Sequence, residues 1–279
     1  MNSIKLANVT VIIPCYCCFD TVERALRSVV GQSLLPREII LVDDSSDDEG
    51  QTLLTLKKLI NDFNSTASEI RLIALKNNVG AAGARNAAWD LASSDLVAVL
   101  DSDDAWHPRK IEIQYQWMKE HPMVALSGHL YSQVDENGEP SDVPSSFSAK
   151  PCDFRSMLFK NPLVTRTVML RRDIPLRFAM GKRYAEDYLL WLQTMALGLQ
   201  VFILSVDLAY SFKSSYGESG LSGNMWAMEQ GVQDNFIRLY KDQEITLVTF
   251  LLASLFSFLK YFRRVMIVSL RRTFLARPQ

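Results

Sequence analysis

The chain has 279 residues, of which 48% are hydrophobic and 22% charged, a mixture typical of a globular protein with one large domain or two small ones. Its net charge of −1 argues against a nucleic-acid partner. The charge is uneven, because residues 260–279 contain six basic residues and no acidic one, which leaves −7 for the rest of the chain.

Three of the four cysteines, Cys15, Cys17 and Cys18, crowd into one short segment in which they cannot easily pair with each other. This arrangement favours a reduced cytosolic protein over a disulfide framework. The C-x-C-C spacing and the small number of histidines argue against a zinc site. The short apolar run before Pro14 does not resemble a secretory signal peptide.

Apolar runs and helical periodicities alternate four times over the first 120 residues. The predicted strands cover residues 9–13, 39–42, 70–75 and 96–100, and the predicted helices cover residues 22–30, 52–63, 81–92 and 108–119. The segment 20–23 resembles a capping box at the start of the first helix. Short links between alternating strands and helices predict right-handed βαβ units and an open parallel sheet.

The fourth predicted strand ends in three carboxylates, Asp101, Asp103 and Asp104. Like charges this close repel each other, so a cation is their natural partner. An all-oxygen ligand set suits Mg²⁺ or Mn²⁺. The alternative is a solvated acidic turn that caps the following helix, since Asp is common in turns and at N-caps.

Polar residues follow the other predicted strands as well. They are Pro14-Cys15-Tyr16, Asp43-Asp44 and Asn77-Asn78. In open α/β sheets, ligands bind beyond the carboxyl ends of the strands, and acidic clusters on two separate strands favour such a site. The sequence lacks the dinucleotide, P-loop and nucleophile-elbow motifs. A carboxylate-held cation meets phosphates, and Asp44 could accept from a base N–H or a sugar hydroxyl, which together predict a metal–nucleotide diphosphate site.

A segment rich in Pro, Ser and Gly, residues 136–150, predicts a surface loop that divides a nucleotide-binding half, residues 1–135, from an acceptor-facing half, residues 136–222. A strand is predicted over residues 165–170. Glu186 and Asp187 then open an apolar helix that runs to about residue 198, where a carboxylate could act as general base. The alternative is that these acids only favour the positive end of the helix dipole.

Five blocks of the sequence resemble family 2 glycosyltransferases of the GT-A fold. The blocks are Val11-Ile-Ile-Pro14-Cys-Tyr16, Ile40-Leu-Val-Asp43-Asp44-Ser-Ser, Asn78-Val-Gly80-Ala-Ala-Gly-Ala-Arg85-Asn86, Leu100-Asp101-Ser-Asp103-Asp104 and Glu186-Asp187. They occur in the order of the family and at familiar separations over residues 9–220. The resemblance implies an α/β protein with a Rossmann-like, mostly parallel sheet flanked by helices.

The resemblance also implies a role for individual residues. Asp44 would contact the nucleotide base, Pro14 and Tyr16 would line the same pocket, and Arg85 would lie near the nucleotide. In the D-x-D element, Asp101 would lie near the ribose and diphosphate, Asp103 would hold Mn²⁺ or Mg²⁺, and Asp104 would be a supporting or capping residue. Asp187 would be the catalytic base, supported by Glu186.

The implied reaction moves one sugar, with inversion, from a nucleotide-diphosphate sugar to a hydroxyl of a glycan or lipid-linked acceptor in cell-surface polysaccharide synthesis.

The sequence departs from the family pattern in two places. Cys17 follows Tyr16 where the family commonly has Asn, so part of the base pocket differs, and the Q-x-x-R-W block of processive synthases is absent. Two alternatives stay open, a nucleotidyltransferase and a nucleotide-sugar-binding membrane protein without catalysis, although the first lacks its expected Gly-rich, Lys-bearing loop.

The C-terminal segment, residues 223–279, is predicted to be a helical tail. Its apolar run, residues 245–259, is shorter than a bilayer span and is followed by basic residues. This pattern favours an amphipathic helix on the anionic cytoplasmic face of the inner (plasma) membrane, as a peripheral attachment. The alternative is a core or dimer-forming helix. A Gly-rich segment, residues 217–223, is predicted to fold over the donor.

Overall fold

The structure, a computed structural model, describes residues 5–134, 142–144, 146–212 and 224–275, with side chains up to residue 269. In these residues, nine strands form one sheet: β1 (Ala7–Cys15), β2 (Pro36–Asp43), β3 (Glu69–Ala74), β4 (Leu96–Val99), β5 (Asp104–Trp106), β6 (Val124–Gln133), β7 (Ala149–Pro151), β8 (Met169–Arg171) and β9 (Gln200–Ser211). The helices are α1 (Val22–Val30), α2 (Gln51–Asp62), α3 (Gly80–Leu91), α4 (Lys110–Glu120), α5 (Phe154–Phe159), α6 (Glu186–Ala196), α7 (Met225–Lys241) and α8 (Leu247–Leu275).

The sheet order is β3-β2-β1-β4-β8-β6-β9-β5, with β7 paired to β9. The four strands predicted from the first half of the sequence pair in parallel, which confirms the βαβ prediction. The pairing of β6 with β9 is parallel as well, so most of the paired residues lie in parallel ladders, although the sheet also contains short antiparallel pairings. The short strands β5, β7 and β8 run antiparallel to their neighbours, since such pairings need no crossover helix.

The central strands are buried on both faces, as their continuous apolar sequence predicts. Ile12, Ile40 and Val97 contribute to one core together with α3 and α6. Alternate residues of the same strands contribute to a second core with α1 and α2. Helices therefore cover both faces, and the carboxyl ends of β1, β2 and β4 are left to present polar side chains at one edge.

Two local predictions are wrong. Thr21 is the N-cap of α1, but its hydroxyl donates to the Cys18 carbonyl and Glu23 pairs with Arg27, so no capping box forms. The strand predicted over residues 165–170 begins as a 3-10 turn, Thr165–Thr167, and only then becomes β8. The Thr167 hydroxyl donates to the Val164 carbonyl, which stabilises the turn in place of an extended strand.

Strands on both sides of residue 135 share the sheet, and the predicted division into two halves stays a prediction. The Gly-rich segment 217–223 and residues 136–141 lie outside the described residues. From residue 247 onward, the apolar run 245–259 and the first basic residues after it belong to one continuous helix, α8, which packs against α7 and α5. Within the described part of the chain, no helix combines the length and the apolarity that crossing a bilayer requires.

Candidate active site

Arg85 joins two of the predicted acidic groups. From α3, its Nη2 lies 2.8 Å from Asp101 Oδ1, just after β4, and its Nη1 lies 2.7 Å from Glu186 Oε1, at the start of α6. The planar guanidinium can hold two carboxylates in fixed positions because its donors form a rigid fork. In the sequence, Asp101 is 16 positions and Glu186 is 101 positions away from Arg85, so the two ion pairs bring distant parts of the chain together.

The charges of this cluster act on each other in a water-poor setting. Burial lowers the pKa of the Arg85 guanidinium, but the charges of Asp101 and Glu186 raise it by more, so its pKa lies above the usual value. Burial raises the pKa of Glu186, and the neighbouring Asp187 raises it further, while Arg85 opposes both. A buried cation among carboxylates is stable here because each side neutralises the other.

Asp187 is the second residue of α6 and has a partner on each oxygen. The Thr165 hydroxyl donates to Oδ2 at 2.8 Å, and the backbone N–H of Tyr188 donates to Oδ1 at 2.7 Å. The carboxylate therefore has a fixed orientation beside the Arg85 cluster.

Asp44 is buried at the carboxyl end of β2 and reaches the start of α3. The backbone N–H of Val79 donates to its Oδ1 at 2.8 Å, and the Asn78 side chain donates to its carbonyl at 3.0 Å. Burial raises the pKa of Asp44, although the backbone N–H groups of Val79 and Gly80 work against that shift. The two blocks predicted to meet, 43–44 and 77–80, therefore do meet.

Pro14 and Tyr16 lie beside Asp44, since the Asp44 N–H donates to the carbonyl of Cys15 at 2.8 Å. The Tyr16 side chain is 48% exposed and so is available to a ligand. Cys17, where the family commonly has Asn, adopts a positive φ of 46°, and its N–H donates to the Ser46 hydroxyl at 3.0 Å. The loop after β1 is thus tied to the loop after β2.

The three aspartates of the acidic run have different surroundings. Asp101 contacts Arg85, whereas the carbonyl of Asp103 accepts from Arg24 Nη2 at 2.8 Å. Asp104 belongs to β5, is buried, and pairs with Arg166 at 2.6 Å. Burial raises the pKa of Asp104, with Arg166 opposing the shift. Asp104 is therefore buried in an ion pair, whereas Asp101 and Asp103 are partly exposed.

The oxygen ligands available fit a divalent cation that shares its coordination with a substrate. Among the residues that the structure describes, no group of three or more His, Cys, Asp or Glu side chains could hold a metal ion alone. Mg²⁺ usually takes only one or two carboxylates and completes its shell with water and phosphates. Asp103, with the neighbouring Asp101, offers a donor set of this kind.

Three residues at this site carry no signal in the sequence. Thr165 contacts Asp187, and Arg166 contacts Asp104. Arg24 donates to the Asp103 carbonyl, and its guanidinium lies 3.7 Å from the centre of the Phe212 ring. None of them belongs to a motif block. Arg24 lies on the amphipathic first helix, where an arginine is usually a solvated residue.

A sequence model described as Glycosyl transferase family 2 matches residues 10–181, more than half of the chain. The chain belongs to glycosyl transferase family 2. The predicted family and the predicted glycosyltransferase activity are thereby confirmed. The match ends before Glu186 and Asp187, so the assignment of the base rests on other grounds.

Curated relatives of this glycosyltransferase act in bacterial polysaccharide synthesis. It is 31% identical over 195 residues to the Escherichia coli UDP-Glc:alpha-D-GlcNAc-diphosphoundecaprenol beta-1,3-glucosyltransferase WfaP, a match that covers 69% of this chain and 72% of the relative. It is also 31% identical to TuaG of Bacillus subtilis, a putative teichuronic acid biosynthesis glycosyltransferase, over 78% of this chain and 82% of the relative.

Solved structures confirm the GT-A fold. S. aureus TarS in complex with UDP-GlcNAc matches with a TM-score of 0.64 and 19% identity, over 83% of this chain and 66% of that chain. The mannosyltransferase PcManGT from Pyrobaculum calidifontis, in complex with GDP-Man and Mn²⁺, matches with a TM-score of 0.63 and 16% identity, over 98% of this chain and 77% of that chain. At these identities the likeness speaks for the fold alone.

Proposed function

We propose that this glycosyltransferase moves one sugar, with inversion, from a nucleotide-diphosphate sugar to a hydroxyl of a lipid-linked glycan in cell-surface polysaccharide synthesis. The observation that carries the proposal is the Arg85 bridge, because it ties the acidic end of β4 and the first turn of α6 to one guanidinium. The relative WfaP supports the acceptor class, since its name describes a glucosyltransferase that acts on GlcNAc linked to diphosphoundecaprenol.

The donor would lie along the carboxyl ends of the parallel strands. Asp44 would accept hydrogen bonds from the nucleotide base, with Pro14 and the exposed Tyr16 ring lining the same pocket. Asp101 would lie near the ribose and the diphosphate, held in place by Arg85. A cleft at the strand ends is where open α/β sheets bind their ligands.

Asp103, with Asp101 beside it, would hold Mn²⁺ or Mg²⁺ against the donor diphosphate. When bound, that cation stabilises the negative charge that grows on the leaving nucleoside diphosphate. Arg24 holds the Asp103 carbonyl, so the loop that carries the ligand is fixed before the donor arrives. Such fixed charges favour the transition state, where the charge is larger than in the bound donor.

Asp187 would take the proton of the acceptor hydroxyl. As the acceptor oxygen forms its bond to the anomeric carbon, the bond from that carbon to the diphosphate oxygen breaks and the proton moves to an Asp187 oxygen. Thr165 and the Tyr188 N–H hold the carboxylate for this transfer. A single base facing the leaving group gives direct displacement, which inverts the anomeric centre.

A screen of nucleotide sugars tests the proposal as a whole. With Mn²⁺ and a lipid-linked glycan acceptor, one donor should release nucleoside diphosphate at a rate that EDTA abolishes. A donor that binds without release in any combination would favour the non-catalytic alternative instead. Release of pyrophosphate from a nucleoside triphosphate would favour a nucleotidyltransferase.

Replacing Asp103 with alanine should remove the effect of the cation on donor binding. For the unchanged protein, we expect calorimetry to show donor affinity at least about tenfold higher with Mn²⁺ than with EDTA. Asp103→Ala should bind weakly in both conditions, whereas Asp62→Ala, at the exposed end of α2, should behave like the parent. An unaltered Mn²⁺ effect in Asp103→Ala would assign the metal to other residues.

We further propose that α8 attaches the enzyme to the anionic cytoplasmic face of the inner membrane. Nine of its large apolar side chains are exposed, and they are Leu247, Val248, Leu251, Leu252, Leu255, Phe256, Leu259, Phe262 and Met266. The side that packs on the protein is instead partly polar, since the buried Ser257 donates to Glu229. Arg263 is exposed on the same helix and complements acidic lipid headgroups.

Flotation with lipid vesicles tests this attachment. The full-length protein should float with vesicles that contain anionic lipid and much less with neutral vesicles. Leu251→Gln with Leu255→Gln should lower the bound fraction at least about tenfold, because burial of two leucine side chains is lost. Leu54→Gln, an equally exposed leucine on α2, serves as the control. Protein that stays in the soluble fraction with anionic vesicles would contradict the proposal.

A further inference from the structure

The backbone immediately before α6 adopts an unfavourable conformation. Ala185, the N-cap of α6, has a φ of +54°, in the left-handed region that L-residues other than glycine rarely occupy. Such a conformation persists only when surrounding contacts hold it. Because Glu186 and Asp187 follow directly, the direction in which Ala185 turns the chain sets where both carboxylates lie.

Helix α7 supplies those contacts. The fully buried Asn235 donates from Nδ2 to the Ala185 carbonyl at 2.9 Å. Gly231, one turn earlier, lies so close to the segment that a Cβ there would be 2.6 Å from the Tyr184 carbonyl oxygen. Lys182 Nζ, at the other end of the segment, donates to the Gly231 carbonyl at 2.9 Å and to Asp234 at 2.8 Å.

Helix α7 is in turn fixed by α8. Glu229, buried on α7, accepts from the Gln233 side chain at 2.7 Å and from the Ser257 hydroxyl of α8 at 3.0 Å. The Gln233 amide also donates to the Ser254 carbonyl of α8 at 3.3 Å. Segment 182–185 therefore packs on α7, which is itself fixed by hydrogen bonds to α8.

From these contacts we infer that Asn235 is a positioning residue for the sugar-transfer reaction, acting through the Ala185 carbonyl to hold Asp187 toward the acceptor. This inference rests on the proposed function, since it needs Asp187 to be the base. Donor binding would depend on Asp44, Asp101 and Asp103, and two of these have anchors away from α6, since Asn78 and Val79 hold Asp44 and Arg24 holds the Asp103 carbonyl. Loss of Asn235 should therefore impair acceptor activation far more than donor binding.

The test compares Asn235→Ala with the parent enzyme. We expect kcat to fall about 10-fold to 100-fold, the effect of a small misplacement of a reacting group, while donor KM and donor affinity stay within twofold. Gln230→Ala is the matched control, because it removes an exposed side chain from the same helix, α7. Its kcat should equal that of the parent.

A second substitution separates positioning from simple packing. Glycine adopts a positive φ without steric cost, so Ala185→Gly should keep the turn when Asn235 no longer holds it. The double variant Asn235→Ala with Ala185→Gly should regain at least about half of the lost kcat on a logarithmic scale. Should Asn235→Ala fail to fold, Asp234→Asn weakens the Lys182 contact at a half-exposed position and should lower kcat several-fold.

The inference is overturned if folded Asn235→Ala or Asp234→Asn keeps the parent kcat, if donor affinity falls in parallel with kcat, or if Ala185→Gly restores nothing. These results are distinguishable from failure of the proposed function. Normal turnover by Asp187→Asn would remove the base itself, whereas an inactive Asp187→Asn beside a fully active Asn235→Ala would remove only the role of Asn235.

Discussion

Replacing Asp187 with asparagine should lower kcat about 10²-fold to 10⁴-fold, the usual worth of general-base assistance, and leave nucleotide-sugar affinity unchanged. Asparagine is nearly isosteric and keeps an oxygen that can accept from the Tyr188 N–H. The Thr165 hydroxyl can rotate to accept from the new amide, since a hydroxyl both donates and accepts. The substitution therefore removes the basic oxygen while the surrounding contacts persist.

The appropriate control is Asp173→Asn, which removes the same charge from an exposed position just after β8. Donor affinity by calorimetry and transfer by product formation should be measured on both variants. We expect Asp173→Asn to match the parent in both assays. A turnover near that of the parent in Asp187→Asn would assign the base to another residue.

Removing the Arg85 guanidinium should have the second large effect, on stability as well as on activity. Arg85→Met leaves Asp101 and Glu186 without their common cation in a largely buried place. Breaking a buried ion pair by removing one partner typically costs about 3–5 kcal/mol of the free energy of unfolding. Transfer should fall below detection, because the acidic end of β4 and the start of α6 lose their link.

Arg85→Lys sharpens this test. Lysine keeps the charge, but its single ammonium group cannot span two carboxylates as the guanidinium does. We expect intermediate stability in urea denaturation together with strongly reduced kcat. Arg27→Met, which breaks an exposed pair with Glu23, should change neither quantity appreciably. If Arg85→Met unfolded at the same urea concentration as the parent and kept its turnover, the bridge would have no role.

The sequence predicts the nucleotide-facing part of the fold well because its signals are local. Apolar runs at β1, β2 and β4 end in polar residues, and parallel strands place such ends at one edge. The antiparallel strands β5 and β8 are only three residues long, too short for a period-two pattern to be recognised. The mixed character of the sheet is therefore visible only in the structure.

In the candidate site, too, some residues are predictable from local sequence motifs and others are visible only in the structure. The motif blocks supply Asp44, Asp101 and Asp103, but the partners that fix the site come from outside every block. Thr165 holds Asp187 from a 3-10 turn that the sequence predicts as a strand, and Asn235 reaches Ala185 across 50 positions. Such contacts depend on tertiary packing of helices and turns, which no local periodicity encodes.

The C-terminal helix illustrates a further limit. Its apolar run and basic flank predict an amphipathic helix, but not which face packs on the protein. The structure leaves nine large apolar side chains of α8 exposed, and it places Ala253, Ser257 and the half-buried Phe250 against the protein. This reversed arrangement supports the proposed membrane attachment, since an exposed apolar face of this size is unusual for a soluble surface.

The configuration of the anomeric carbon in the product tests the central claim most directly. With the donor sugar that the screen identifies and the full-length enzyme, proton NMR of the transferred sugar reports its anomeric coupling. One carboxylate that deprotonates the acceptor opposite a cation-bound diphosphate predicts a configuration inverted relative to the donor. A product that keeps the configuration of the donor would contradict the account, because retention does not arise from one direct displacement at this cleft.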